Sequence, residues 1–426
     1  MGENPRLVGA IAGALRFRDA SPEKLGSLSD PEWGELLEYA DLSHLTLPLA
    51  LNCRRYLPEW VQGRIDQNLR DNHLRWNLIK VTYDEVKSAF ISSGVQHVVL
   101  KGFAQCPDLA PDPQTRFQSD IDLYSPESSL NRAVETLLQL GYEAVATSEK
   151  ADHLPTMIRR GEWKWRGNSY DPEMPPSIEL HHILWNRQRM RLGPLNLNQF
   201  WSRRTVACID NLAYPALHPV DNLGFSALQV LRDLLNGTLS AHKVYELAYF
   251  LHHKANDEDF WREWKRSHDD DDLRLCETVS FCLAGACFRC DLARIPGEQI
   301  STLPKTIRAW MQMYGHRSLT THRSSVRDAL WVHLALIDSA QDRSVIFLRT
   351  ILRTPDPQRL LVETAPVQGG GRWIQYAYYG LKRIPRHALS ILSMLYWGGR
   401  TLLASRLGRS KPTNAEDTAV ELGRSA

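Results

Sequence analysis

The chain has 426 residues, 43% of them hydrophobic and 23% charged, with 51 lysines and arginines against 49 aspartates and glutamates. That length asks for two or three packed units, and a formal charge of +2 excludes a global basic field able to hold long nucleic acid non-specifically. No apolar run approaches the ~18 residues of a helical membrane span.

Met1-Gly2-Glu3-Asn4-Pro5 lacks the basic start of a secretory leader, and the seven cysteines are an odd number, so the expectation is a cytoplasmic protein with free thiols. Four cysteines, 276, 282, 287 and 290, lie close together but include a single Cys-x-x-Cys. With apolar neighbours and no second ligand pair at finger-like spacing, they read as small hydrophobes on a buried helix.

Residues 6–93 carry helical patterns. Asp30-Pro31 predicts a helix start, Trp33, Leu36, Leu37 and Tyr39 fall at helical spacing, and the longest pattern runs from Pro58 to Phe90. The texture changes at His97. Val98-Val99-Leu100 is a β-branched run, then Lys101-Gly102 opens a predicted short helix. After three prolines, Ser119-Asp120-Ile121-Asp122-Leu123-Tyr124 alternates polar and apolar with the period of a strand. Ser125-Pro126-Glu127 starts a helix ending at Gly141, Tyr142–Ala146 and Glu162–Arg166 are predicted strands, and Ser177–Leu184 alternates again. Helical spacing returns from Pro219 to about residue 352.

The predicted class is α+β: a small mixed-sheet unit over 97–217, flanked by helical regions over 1–96 and 218–352, with a basic and apolar tail over 353–426, partly disordered. Within the tail, Trp373–Leu407 carries Lys382, Arg383, Arg386, Arg400 and Arg406 among apolar residues. It reads as a helix docked on the body with a basic outer face, peripheral membrane contact being the alternative. Asp269–Asp272 reads as a solvated helix start.

The chemistry centres on Asp120 and Asp122. Residues i and i+2 of a strand share a face, about 6–7 Å apart, and two carboxylates so placed can share or bridge divalent cations. Glu179, on a later strand, can complete a carboxylate triad or take a proton from an attacking hydroxyl. Glycine at 102 lets a backbone approach phosphate closely at a helix N-terminus. Lys101 offers a positive charge to phosphate, and Arg116 either clamps a triphosphate or pairs with a loop carboxylate such as Asp112. His181 shares the Glu179 face and can help bind substrate, whereas His182 points away and reads as a core histidine. Trp163 and Trp165 can stack a base or fill a sheet face, and His242, Lys243 and Glu246 follow on a helix that can reach a nucleotide.

Together, Val98-Val99-Leu100-Lys101-Gly102, Arg116, Ser119-Asp120-Ile121-Asp122-Leu123, Gly141-Tyr142 and Ile178-Glu179-Leu180-His181 resemble the bacterial uncharacterised nucleotidyltransferase family, a branch of the polymerase β-like nucleotidyltransferase superfamily. The resemblance covers roughly residues 90–260. It implies a minimal nucleotidyltransferase palm that binds a nucleoside triphosphate with magnesium, two Mg²⁺ ions being expected. Asp120 and Asp122 then match the metal carboxylates, Glu179 the third, and Gly102 the glycine of the phosphate-binding turn. One departure is Phe103, where related proteins carry glycine or serine, so Lys101 or Arg116 would supply the missing phosphate contact. The expected reaction moves a nucleoside monophosphate, AMP favoured, from ATP or another triphosphate to an acceptor hydroxyl or phosphate. A small-molecule, sugar or peptide acceptor fits the near-zero charge better than long nucleic acid. The alternatives are a non-catalytic nucleotide sensor or adaptor on the same fold, and a transferase of whole phosphoryl groups. Because two close carboxylates repel, Asp122→Asn is expected to leave the stability of the metal-free protein unchanged or raised.

Overall fold

The fold was analysed in a computed structural model that describes residues 4–145, 152–315, 318–319 and 329–351, with five positions between 392 and 399. Four helices come first: α1 (Pro5–Ala14), α2 (Asp30–Leu42), α3 (Thr46–Cys53) and the long α4 (Glu59–Ser92). Helix α2 starts at the predicted Asp30-Pro31, where Ser29 and Glu32 form a reciprocal capping box.

The strands follow as β1 (Val98–Val99), β2 (Asp120–Tyr124), β3 (Tyr142–Ala144), β4 (Met157–Arg159), β5 (Ser177–His181), β6 (Thr205–Ile209) and β7 (Leu212–Ala216), with α5 (Glu127–Gln139) between β2 and β3. They form one mixed sheet in the order β3-β4-β5-β2-β1-β7-β6. Strand β2 runs parallel to β5 and antiparallel to β1, and β6 and β7 form a hairpin. The hairpin turns on Asp210 and Asn211, both at positive φ, as a tight primed turn requires.

Two predicted strands need correction. Glu162–Arg166 is loop, and Trp163 donates its indole N–H to Asp171 at 3.0 Å instead of lining a sheet face. The strand beginning at Tyr142 ends at Ala144, while β4 occupies Met157–Arg159. The short helix predicted after Lys101 is a 3-10 turn of four residues, Gly102–Gln105.

Short helices α6 (Arg187–Met190) and α7 (Asn198–Ser202) precede the hairpin. After it come α8 (Pro219–Asn236), α9 (Ala241–His253), α10 (Glu258–Ser267), α11 (Asp271–Phe288), α12 (Arg294–Thr302), α13 (Lys305–Tyr314), α14 (Leu330–Leu336) and α15 (Ala340–Ile351). Asp270 caps α11 by accepting the Leu273 N–H, so part of the acidic run serves as a helix start. Cys276, Cys282 and Cys287 are buried along α11 and Cys290 just beyond it, and burial pushes the Cys282 and Cys287 thiols up to about 12. No helix among the described residues is long and apolar enough to cross a membrane. The Trp373–Leu407 segment lies almost wholly outside the described residues.

Alternation along the strands sorts the molecule into two cores. Ile121, Leu123, Ile178 and Leu180, all fully buried, pack with Trp76, Tyr83 and Phe90 of α4 and Leu137 of α5. Burying side chains of this size contributes roughly 1.5–3 kcal/mol each, which pins the strand register. The opposite sheet face meets a second core, in which Val98 and Leu100 join helices α1–α3 and α8–α14. Helix α4 belongs to both, with Val61 and Ile65 in the second core and Trp76 to Phe90 in the first. The polar members of β2 and β5 therefore emerge where the sheet meets the helical body.

Candidate active site

The β2–β5 register sets Asp122 beside Glu179, Asp120 beside Ser177 and Tyr124 beside His181. Since side chains of paired residues share a face, Asp120, Asp122, Glu179 and His181 all project from the face opposite Ile121 and Ile178. The strand residues that anchor the core thus also aim the carboxylates.

Asp122 is buried and heavily engaged. Its Oδ1 accepts from the Lys101 ammonium at 2.5 Å and lies 2.7 Å from His181 Nε2. Burial alone would raise its carboxyl, but Lys101 and His181 outweigh it and hold the group well below the ordinary carboxylate range. Burial and the neighbouring Lys101 charge push His181 the other way, down to about 4. Glu179 accepts from Thr156 at 3.3 Å, and burial with the Asp122 charge raises its carboxyl. His153 Nε2 stands 3.7 Å from Glu179 Oε2, and its Nδ1 lies 2.6 Å from the Leu154 carbonyl.

Asp120 differs. Its carboxylate has no hydrogen-bond or ion-pair partner among the described residues, and burial together with the Asp122 and Glu179 charges raises it well above the ordinary range. Ligand atoms of Asp122, Glu179 and His181 all lie within 4.8 Å of one another, and Asp120 stands outside that tightest group. Among the described residues one ammonium, that of Lys101, pairs with the three carboxylates, and Arg116 acts on Asp120 from farther off, so their negative charge is only partly offset. Hard oxygen donors with surplus negative charge suit a divalent cation such as Mg²⁺, and the residues present fit one.

Gly102 has φ +65°, and a Cβ there would come within 2.1 Å of the Gln118 amide nitrogen. Gln118 accepts the Phe103 N–H at 3.0 Å and donates to the Asp120 carbonyl at 2.6 Å. The glycine therefore lets Gln118 brace both the turn and the start of β2. This commits the Phe103 N–H to a side chain, where the sequence suggested a turn with donors open to phosphate.

Arg116 does not pair with Asp112. Its Nε lies 2.8 Å from Glu246 Oε1 of α9, its Nη2 donates to Gln105 at 2.7 Å, and Asp112 instead caps the turn at Pro113. Arg116 and Glu246 together line a cavity of about 330 Å³, walled by Phe17, His44, Phe117 and Tyr249. His182 is only part-buried and its Nδ1 has no partner among the described residues, so the satisfied core histidine expected there is not found.

The helical body adds Arg232 and Asp233, which sequence reasoning passed over, beside Lys243, which it singled out. Arg232 donates to Asp152 at 2.9 Å and contacts Asp233, and Lys243 donates to Asp233 at 2.7 Å. The charges of Arg232 and Asp233 are felt at Lys101, so this row borders the carboxylates. The adjacent Arg232-Asp233, nine to eleven residues ahead of His242-Lys243, was the signal available in the sequence.

A model of the family described as "Uncharacterised nucleotidyltransferase" matches residues 29–288. None of the curated proteins compared with the chain matches it. Among solved structures, the chain is similar to an antigenic nucleotidyltransferase-like protein from Paracoccidioides brasiliensis, at 13% identity over 51% of this chain and 94% of that one. The TM-score is 0.29. The family match spans more than half of the 426 residues and contains every residue of the carboxylate site; the chain belongs to the uncharacterised nucleotidyltransferase family, a family of transferases.

Proposed function

We propose that the chain transfers a nucleoside monophosphate, AMP in the favoured case, from a nucleoside triphosphate to a hydroxyl or phosphate of a small-molecule, sugar or peptide acceptor, on a palm of the polymerase β-like kind. The observation that carries this reading is the set of three carboxylates, Asp120, Asp122 and Glu179, facing one ammonium on a single sheet face. In it, Asp120, Asp122 and Glu179 would hold Mg²⁺. Bound divalent cations would supply charge stabilisation to the attacking and leaving oxygens.

The chain's own groups do the rest. Lys101, which ion-pairs with Asp122 and feels the Arg232 charge, meets the negative phosphates. Asp122, fixed by Lys101 and His181, keeps its orientation without reorganising during the reaction. Glu179 accepts the proton of the acceptor hydroxyl as the new oxygen–α-phosphorus bond forms. The bond from the α-phosphorus to the bridging oxygen breaks, and pyrophosphate leaves with the electron pair.

Product analysis with ATP and a divalent cation, in the presence of cell extract as acceptor source, tests the proposal. Release of pyrophosphate supports it. Release of ADP would assign phosphoryl transfer, and triphosphate that binds but stays intact would assign a sensor.

A further inference from the structure

The proposed function uses three carboxylates, yet the same face presents two imidazoles that a magnesium site does not need. Glu179 Oε2 stands 3.9 Å from His181 Nε2 and 3.7 Å from His153 Nε2. Both separations exceed an N–H···O hydrogen bond. Two ligand atoms that each lie about 2.1 Å from one cation are roughly 3.0–3.4 Å apart, depending on octahedral or tetrahedral geometry. The observed gaps are thus wider than the spacing of ligands on a shared ion by roughly 0.3–0.9 Å, which side-chain rotation on binding would close. Ligand atoms of Asp122, Glu179 and His181 already meet within 4.8 Å, with His153 outside that group, and a bound ion would replace the 2.7 Å hydrogen bond between His181 Nε2 and Asp122 Oδ1.

His153 is also presented in a definite way. Its Nδ1 lies 2.6 Å from the Leu154 carbonyl oxygen, a group that can only accept, so Nδ1 carries the hydrogen and Nε2 is the nitrogen turned to Glu179. Metal-bound imidazoles are commonly oriented by such a hydrogen bond on the other ring nitrogen. A backbone bridge between His153 and His181 holds the two rings 5.4 Å apart.

We propose that Asp122, Glu179, His181 and His153 form a mixed oxygen–nitrogen site that takes a first-row transition dication, with the two imidazoles as ligands. This rests on the metal-dependent reading above and narrows it. Imidazole favours transition dications, whereas Mg²⁺ prefers oxygen donors and gives up its water reluctantly. Mg²⁺ is then held by the carboxylates alone and more weakly than Mn²⁺ or Zn²⁺.

Mn²⁺ added to the full chain without nucleotide, followed by pulsed electron paramagnetic resonance, tests this. The expected spectrum shows ¹⁴N coupling from two directly bound imidazoles. His153→Gln leaves one nitrogen, His181→Gln removes the other, and each weakens Mn²⁺ binding by about 10–100-fold. Since His181 is buried and its variant can fail to fold, His153→Gln, on a ring 20% exposed, decides the matter alone. An unchanged nitrogen count in that variant overturns the inference. Bound Mn²⁺ without ¹⁴N coupling, lost in Asp122→Asn, overturns the inference but leaves the carboxylate reading standing. If the wild-type chain binds no Mn²⁺, the carboxylate reading itself falls and this one falls with it.

Discussion

The Lys101 ammonium lies 2.5 Å from Asp122 Oδ1, while the carboxylate of Asp120, two residues away on the same strand face, has no hydrogen-bond or ion-pair partner among the described residues. One strand therefore presents two carboxylates in opposite electrostatic states, and their variants should behave oppositely.

In the metal-free protein, Asp122→Asn strands a buried ammonium. Removing one partner of a buried pair is strongly destabilising, and about 3 kcal/mol is the expected loss. This reverses the expectation from sequence, which saw only the repulsion between the aspartates. Asp120→Asn removes that repulsion with nothing left unpaired, so stability should rise by about 1 kcal/mol or more. Because the folded state raises the Asp120 carboxyl, folded chains keep this proton to higher pH than unfolded ones. Wild-type stability at this group is then lost as pH rises above the ordinary carboxylate range, and the advantage of Asp120→Asn grows with pH. Chemical denaturation of both variants at pH 5 and pH 8 checks the signs.

Lys101→Met leaves Asp122 buried without its ammonium. The melting temperature of the metal-free variant should fall below wild type, and a divalent cation should raise it by more than it raises the wild type, because the cation replaces the missing charge. Triphosphate affinity, measured by calorimetry, should also drop. Equal cation-induced shifts in the two proteins would assign Lys101 no part in balancing the carboxylates.

Gly102→Ala forces a Cβ into the Gln118 amide at positive φ. Left-handed backbone costs a non-glycine residue roughly 1–2 kcal/mol before the clash is counted. Gln118 must then release the Phe103 N–H or the Asp120 carbonyl. The expected outcome is a lower denaturation midpoint together with reduced turnover. Loss of turnover with an unchanged midpoint would point to direct contact with substrate.

A pH-dependent contribution lies away from the site. His268 is fully buried between Asp221 and Glu277, at 3.1 and 2.8 Å. Burial opposes its protonation, but Glu277 and Asp221 outweigh that and lift it to about 9. A histidine raised in the folded state stabilises fully below its ordinary value near 6.5, and that stabilisation disappears as pH rises through about 9. The lift corresponds to roughly 3 kcal/mol. Unfolding free energy should fall between pH 7 and 10 in the wild type, and this component should be missing in His268→Gln.

What was legible in the sequence follows period-2 and period-3.6 patterning. Asp120–Tyr124 and Ser177–His181 alternate cleanly because one face is fully buried, so both strands and the shared face of Asp122 and Glu179 could be read directly. The Trp163 and Trp165 alternation misled because a surface loop can alternate by chance, and Trp165 is 59% exposed. Strands β6 and β7 passed unnoticed: Pro215 and small residues weaken their pattern, and β6 is largely exposed. Long-range partners left no local trace. Arg116 meets Glu246 across 130 residues, and the Lys101–Asp122 pair depends on the turn at Gly102, which depends in turn on Gln118. Asp120 and Asp122 look equivalent in sequence, and the difference between them arises from the Lys101 and His181 contacts made only in the fold.

The most direct measurement of the central claim follows the label from α-³²P-labelled ATP and, separately, γ-³²P-labelled ATP, using wild type and Asp120→Asn with a divalent cation. Asp120→Asn is the suitable variant because its fold is expected to be at least as stable as wild type. The account predicts that wild type moves the α-label, and not the γ-label, onto an acceptor, that a chelator abolishes the transfer, and that Asp120→Asn slows it by about 10²-fold or more. Transfer of the γ-label, or α-label transfer undiminished in folded Asp120→Asn, would contradict it.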